Sequence, residues 1–388
     1  MSTALILSGG GARAAYQVGV LKAVSEILPR RTHNPFPIIC GTSAGAINAL
    51  ALAGRPGHLR LRVRKLEATW ASLRAEDIYR TDTLGVITNT ARIALSLLHS
   101  GYSRNRPLAL LDNTPLRHFL EQLVRFRYID EAIASGELSA VSTTAMDYET
   151  GRSVTFFQGN HNNWERTRRL GVRTGLNLDH LIASSAIPTI FPPAVINGSY
   201  YGDGAVRQLK PLSPAIRLGA EKLFIIGVSD NRSHIDTLHK SEHPPSAAQM
   251  IAQLLNSAFI DAIESDLETL ESINRLARHM PEKAREENLR YIDYICVSPS
   301  APIDEMAQKY IRELPRSVRL FLRGTGATAR GGGASAASYL LFEPGFCRDL
   351  LALGYRDGLH QEEKIMNFFL DEQLSSHCAA SKSFDSTP

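Results

Sequence analysis

Residues 36–54 read "FPIICGTSAGAINALALAG". An apolar run, a serine bracketed by glycines and a stretch of small apolar residues follow one another. The run at 36–40 reads as a buried strand, and 43–54 as a buried helix stopped by Gly54. Working outward, "ALILS" (4–8) is another short apolar run with a glycine break behind it. Residues 12–28 place Tyr16, Val20, Ala23, Val24 and Ile27 on one helical stripe. Strand, helix, strand and helix at this spacing predict parallel strands joined by right-handed crossovers. The expected fold class is therefore α/β, with a mainly parallel central sheet and helices on both faces.

Later segments extend this sheet. Strands are expected at 138–147, 153–159 and 222–229, and a hairpin at 195–205, where Asn-Gly separates β-prone residues. Residues 246–280 form a long amphipathic pattern of one or two helices, 290–298 a further strand, and 324–338 a loop of small residues. These readings divide the chain into a core (1–230), a helix-rich C-terminal extension with one strand (231–373) packed on that core, and a disordered tail (374–388). No internal repeat is visible.

The 388 residues are 44% hydrophobic and 21% charged, which excludes a wholly disordered chain. The four cysteines are widely spaced and form no CxxC pair, so they read as thiols of a reducing compartment. No run of 18 apolar residues occurs, and no cleavable leader pattern is present at the start. A cytoplasmic protein is expected, with any membrane contact peripheral. The net charge of +4 selects no partner by itself. Nothing points to nucleic acid, and no feature specifies an oligomeric state.

Three motifs carry chemistry. "GGGARA" (9–14) fits the G-x-G-x-x-G/A pattern of a dinucleotide loop between strand and helix. That loop also requires an acidic residue near the end of the second strand. None occurs between Glu26 and Glu67, which weakens a dinucleotide-dependent oxidoreductase as the alternative. "GTSAG" (41–45) is a G-x-S-x-G between a strand and a helix, the context of a nucleophile elbow. Gly41 and Gly45 relieve the sharp turn, Ser43 stands at the strand end, and the Ala44 N–H faces the point where an oxyanion forms. The plain alternative is Ser43 as a helix N-cap. "DGA" (203–205) offers Asp203 as a base, although Asp-Gly is also an ordinary turn. The late histidines, His279 and His360 among them, stand in no site-like context.

Taken together with "ASSAIPTIFPP" (183–193) and "YYGDGAVRQLKPLSPA" (200–215), these blocks resemble the patatin-like phospholipase family. The likeness covers residues 4–230, with a less specific echo at 338–358. It implies a patatin-like three-layer sandwich and a Ser-Asp dyad, Ser43 as nucleophile and Asp203 as proton acceptor. Gly204 and Ala205 would complete the acid's motif. An oxyanion loop is implied at Gly9, Gly10, Gly11 and Arg13. The implied activity is hydrolysis of fatty acyl esters of phospholipids or lysophospholipids, with no metal and no organic cofactor. A catalytically silent, membrane-associated regulatory relative is the other alternative. One departure is visible: the family has glycine where this chain has Ala14. Weaker expectations are anionic headgroup contact through Arg55, Arg60, Arg62, Arg64 and Lys65, and an amphipathic lid at 81–111.

Overall fold

The computed structural model describes residues 2–82, 109–229, 262–287, 289–324 and 333–370, with isolated positions at 85–86, 88–89, 92, 250, 253–254 and 256–257. Most of the 81–111 lid expectation and the whole of the 374–388 tail lie outside them. So does the start of the long amphipathic pattern, whose described part is the helix Ala262–His279.

The centre of the molecule is a five-stranded parallel sheet. Its strands are β1 (Thr3–Leu7), β2 (Ile38–Thr42), β3 (Ala140–Asp147), β9 (Lys222–Ile226) and β10 (Asp293–Val297), in the order β10-β9-β1-β2-β3. Beyond β3 the sheet turns mixed through β4 (Ser153–Gly159), β5 (Trp164–Arg166) and β6 (Arg169–Arg173), in the order β4-β6-β5. The hairpin of β7 (Ala194–Ile196) and β8 (Ser199–Asp203) branches off the end of β3. Its turn is the expected Asn-Gly, with φ of 51° at Asn197 and 88° at Gly198, as a twisted two-residue hairpin requires.

Both faces of the sheet are covered. Along β1, Leu5 and Leu7 pack into one hydrophobic cluster while Ala4 and Ile6 pack into another. A strand buried on both sides needs a continuous apolar run, and that is how "ALIL" reads. One layer holds α1 (Ala15–Ile27), α2 (Ala44–Ala53) and α3 (Leu59–Ser72). The other holds the helices Ser213–Arg217 and Ala262–His279.

Late segments return to the early ones. β10 pairs with β9 in parallel register. The helix Pro344–His360 packs along α1, where the Tyr16 hydroxyl donates to Asp357 Oδ2 at 3.0 Å. The reading of 324–338 as a loop is corrected in its second half: Gly333–Leu340 is a helix. Its glycines suggested a break, yet residues 334–340 hold alanine, serine, tyrosine and leucine and no proline. They bury against the 3-10 turn Gly11–Ala14, and burial decides helix formation in so short a segment.

The basic cluster at 55–65 also reads differently in three dimensions. Arg62 is buried and paired with Glu137. Arg60 donates to the carbonyls of Ser25 and Glu26, and Arg55 to that of Leu123. Three of the five cations are thus tied to the protein's own acceptors, and Arg64 and Lys65 are the exposed ones. Among the described residues no helix is long and apolar enough to cross a membrane.

Candidate active site

Three strand ends build the site. β2 ends at Thr42, which lies opposite Thr144 of β3, and the next β3 residue, Ala145, lies opposite Asp203 of β8. β4 occupies the other side of β3, with Val154 opposite Ala145, so β8 takes over the side that β2 leaves at Thr144, and residues 43 and 203 meet at that junction. There the Ser43 hydroxyl donates to Asp203 Oδ2 at 2.5 Å. Ser43 is 2% exposed and Asp203 0%.

Ser43 takes φ 55° and ψ −130°, a conformation costly for any residue with a side chain. It is held there from both sides. Its N–H donates to Ser184 Oγ at 2.9 Å, and that hydroxyl donates to the Thr144 carbonyl at 2.6 Å. Below it, α2 starts at Ala44, so the first amides of the helix have no acceptor within it. The turn can be this sharp because Gly45 lies against the end of β1: a Cβ there would stand 2.3 Å from the Leu7 carbonyl oxygen. The N-cap alternative is not realised, since the Ser43 side chain makes no capping bond.

Asp203 is fixed as well. Its Oδ1 accepts from the Ala205 N–H at 2.9 Å, which leaves Oδ2 for Ser43. Burial lifts its pKa from 3.8 to about 7, against the lowering effect of the Ser43 and Ala205 hydrogen bonds. The carboxyl is thus poised to exchange a proton near neutral pH. The hydroxyl's acceptor is this carboxyl and not a histidine.

The glycine loop of residues 8–14 is bracketed by two buried amides. Gln17 Nε2 donates to the Ser8 carbonyl at 2.8 Å, and Asn48 Nδ2 donates to the Ala14 carbonyl at 3.0 Å. The Asn48 amide also donates to Gln17 Oε1 at 2.9 Å and accepts from the Trp70 indole N–H at 2.8 Å. An indole only donates, so the Asn48 orientation is unambiguous. Ala14, the departure from the family pattern, is one of the two anchor points. Asn48→Ala strands three buried partners, and we expect a stability loss of about 3 kcal/mol in chemical denaturation. A loss under about 0.5 kcal/mol would show that the bracket contributes nothing to stability.

The predicted site residues fall into three places. Ser43, Ala44 and Gly11 line one apolar pocket, walled by Ile47, Trp70, Leu116, Phe119, Phe191 and Phe342. Its free volume is about 30 Å³, room for a water. Gly9 and Gly41 line a second small cavity on the far side of the loop, with Ala205. The Arg13 side chain turns away from Ser43 toward Asp304 and Ser338. Sequence reasoning did not single out Ser184, Gln17, Asn48, Asp304 or Tyr339. Ser184 and Asn48 sit inside quoted blocks, but nothing local marks their roles. Among the described residues no group of three or more His, Cys, Asp or Glu converges.

The model of the Patatin family, patatin-like phospholipase, matches residues 5–216, more than half of the chain. The chain belongs to the patatin-like phospholipase family.

Among curated relatives, this patatin-like chain is 26% identical over 246 residues to a cGAMP-activated phospholipase of Escherichia coli (strain TW11681), covering 61% of this chain and 58% of that protein. It is 29% identical over 203 residues to a cGAMP-activated phospholipase of Pseudomonas aeruginosa (strain BWHPSA011 / Pa011), covering 52% of each. The patatin-like chain thus spans about half the length of these relatives. A solved structure of human GIVD cytosolic phospholipase A2 with methyl gamma-linolenyl fluorophosphonate aligns with a TM-score of 0.44 at 13% identity, over 95% of this chain and 59% of that one.

Proposed function

We propose that this protein is a serine acyl hydrolase that cleaves fatty acyl esters of phospholipids or lysophospholipids. The observation that carries the proposal is the Ser43 hydroxyl donating to the buried Asp203 carboxyl beside an apolar pocket. Asp203 Oδ2 takes the hydroxyl proton as Oγ attacks the ester carbon. The negative charge that develops on the carbonyl oxygen is met by the Ala44 N–H and by amides of the Gly9–Gly10–Gly11 loop. Collapse of the tetrahedral intermediate breaks the bond to the lipid alcohol, which receives the proton from Asp203. Water then attacks the acyl-enzyme, with Asp203 accepting its proton, and Ser43 is regenerated as the fatty acid leaves.

An ester suits this machinery, because its alkoxide leaving group needs less protonation than an amine. The apolar walls suit an acyl chain. Exposed Arg64 and Lys65 are compatible with an anionic headgroup surface. The alternative of a dinucleotide cofactor is disfavoured by the glycine loop itself. The Tyr339 carbonyl oxygen lies 2.2 Å from where a Gly11 Cβ would stand, so protein already occupies the close approach a pyrophosphate needs.

The test is to treat the protein with a fluorophosphonate probe and map the labelled peptide. Label on Ser43, with parallel loss of fatty acid release from phospholipid vesicles measured by mass spectrometry, is the expected result. Fatty acid release that continues after complete labelling overturns it.

A further inference from the structure

The family match ends at residue 216, yet Asp304, Ser338, Tyr339 and Phe342 reach the glycine loop and its pocket. Arg13, inside that loop, is only 3% exposed. Its Nη2 donates to Asp304 Oδ1 at 2.5 Å, its Nε donates to Ser338 Oγ at 2.8 Å, and its guanidinium lies 4.2 Å from the centre of the Tyr339 ring. Gly11 takes φ 55°, with the Tyr339 backbone packed against its open side. Tyr339 and Phe342 then continue as walls of the pocket that holds Ser43.

A guanidinium this buried needs its charge met. Asp304 is the carboxylate that does so, and it is itself 40% exposed. The Arg13 N–H is also occupied, donating to the Gly10 carbonyl at 3.1 Å. Arg13 therefore does not serve an oxyanion as a free backbone donor, and its side chain points away from Ser43.

We propose that Asp304 is a positioning residue. By neutralising Arg13 it holds the Gly9–Gly11 amides at the distance from Ser43 that an oxyanion requires, and Asp304, Ser338 and Tyr339 thereby complete the active site. This rests on Ser43 being the nucleophile. Without Asp304, a buried unpaired cation is too costly to keep. Arg13 swings toward water and draws the loop with it, and a displacement of about 1 Å in such a site costs about 100-fold in rate.

The experiment compares Asp304→Ala, Asp304→Glu and Ser338→Ala with wild type, using a soluble p-nitrophenyl ester and a fluorophosphonate. All rates are referred to the fraction folded, measured by circular dichroism. Asp304→Ala should lower kcat about 10- to 100-fold with KM changed less than about 3-fold. It should slow phosphonylation of Ser43 by a similar factor, because that step also builds charge on oxygen. Asp304→Glu should recover most of the loss, and Ser338→Ala should lose only about 3-fold, because Asp304 still meets the guanidinium's charge. If Asp304→Ala does not fold, Ser338→Ala and Asp304→Glu decide by the same readouts. Unchanged kcat per folded molecule, or a loss confined to KM, overturns the proposal while leaving Ser43 as nucleophile. Activity persisting in Ser43→Ala protein instead overturns the reading on which it rests.

Discussion

Replacing Ser43 by alanine should lower ester hydrolysis by about 10⁴- to 10⁶-fold, the scale seen when a serine hydrolase loses its nucleophile. Among the described residues no other hydroxyl donates to Asp203, including that of Ser185, which lines the same pocket without a partner. The hydroxyls of Ser184 and Thr42 lie nearby, but each is committed: Ser184 Oγ to the Thr144 carbonyl and the Ser43 N–H, Thr42 Oγ1 to Gln208 Oε1. Neither donates to Asp203. The fold should survive, since the Ser43 side chain makes no structural bond beyond the one to Asp203. The measurement is kcat/KM on a soluble ester beside a thermal melt. A folded Ser43→Ala protein retaining more than about 1% of wild-type activity would remove the nucleophile assignment.

Asp203→Asn should abolish activity and stabilise the protein, and the second effect should depend on pH in a fixed sense. Asp203 has its pKa lifted by burial to about 7 in the folded state, against 3.8 for an exposed carboxyl. The folded protein therefore holds this proton more tightly than the unfolded chain does. Stability from this group is fully present below about pH 4 and is lost as pH rises toward 7, where the buried carboxyl ionises. Asparagine never ionises. The stability difference between Asp203→Asn and wild type should grow from pH 4 to 7 and then level off. At about 1.4 kcal/mol per pH unit, the plateau is on the order of 4 kcal/mol. Wild-type kcat/KM should move the other way, rising with pH through about 7 as the base becomes available. Denaturation of both proteins at pH 4, 6 and 8 tests the first half. A difference that is flat, or that shrinks as pH rises, contradicts the burial account of Asp203.

These opposed effects are what a buried catalytic carboxyl entails. The same desolvation that destabilises the ionised form raises its basicity toward that needed to assist a hydroxyl. Stability is given up at the residue to which the proposed mechanism assigns the proton transfer.

Much of this was legible in the residues. A short apolar run, a glycine-bracketed serine and a small-residue helix read as an elbow, with a plain helix N-cap as the alternative. Asn197-Gly198 forms the hairpin that local backbone preference dictates. Asp203 read by itself as a weak candidate base in an ordinary Asp-Gly turn, and the dyad role came only from its resemblance in company with the other blocks. The helix Gly333–Leu340 was misread because its glycine-rich start outweighed, in a local reading, the burial that makes it helical. The basic cluster at 55–65 looked like a surface for headgroups, and only the fold brought Glu137 to Arg62.

The sequence alone determined what depends on neighbours along the chain: the strands buried on both faces, the sharp turn at Ser43, the hairpin before Asp203 and a loop of bare amides. Tertiary structure decided what depends on partners far apart. Ser43 meets Asp203 across 160 residues, and Arg13 meets Asp304 across 291. Backbone conformation and burial period are written within a few residues of each position, whereas the partner of a hydroxyl or a guanidinium is set by sheet order and helix packing. No local pattern encodes that order. It explains why the proposed nucleophile could be read from five letters, and why the residue proposed to hold the glycine loop in place could not.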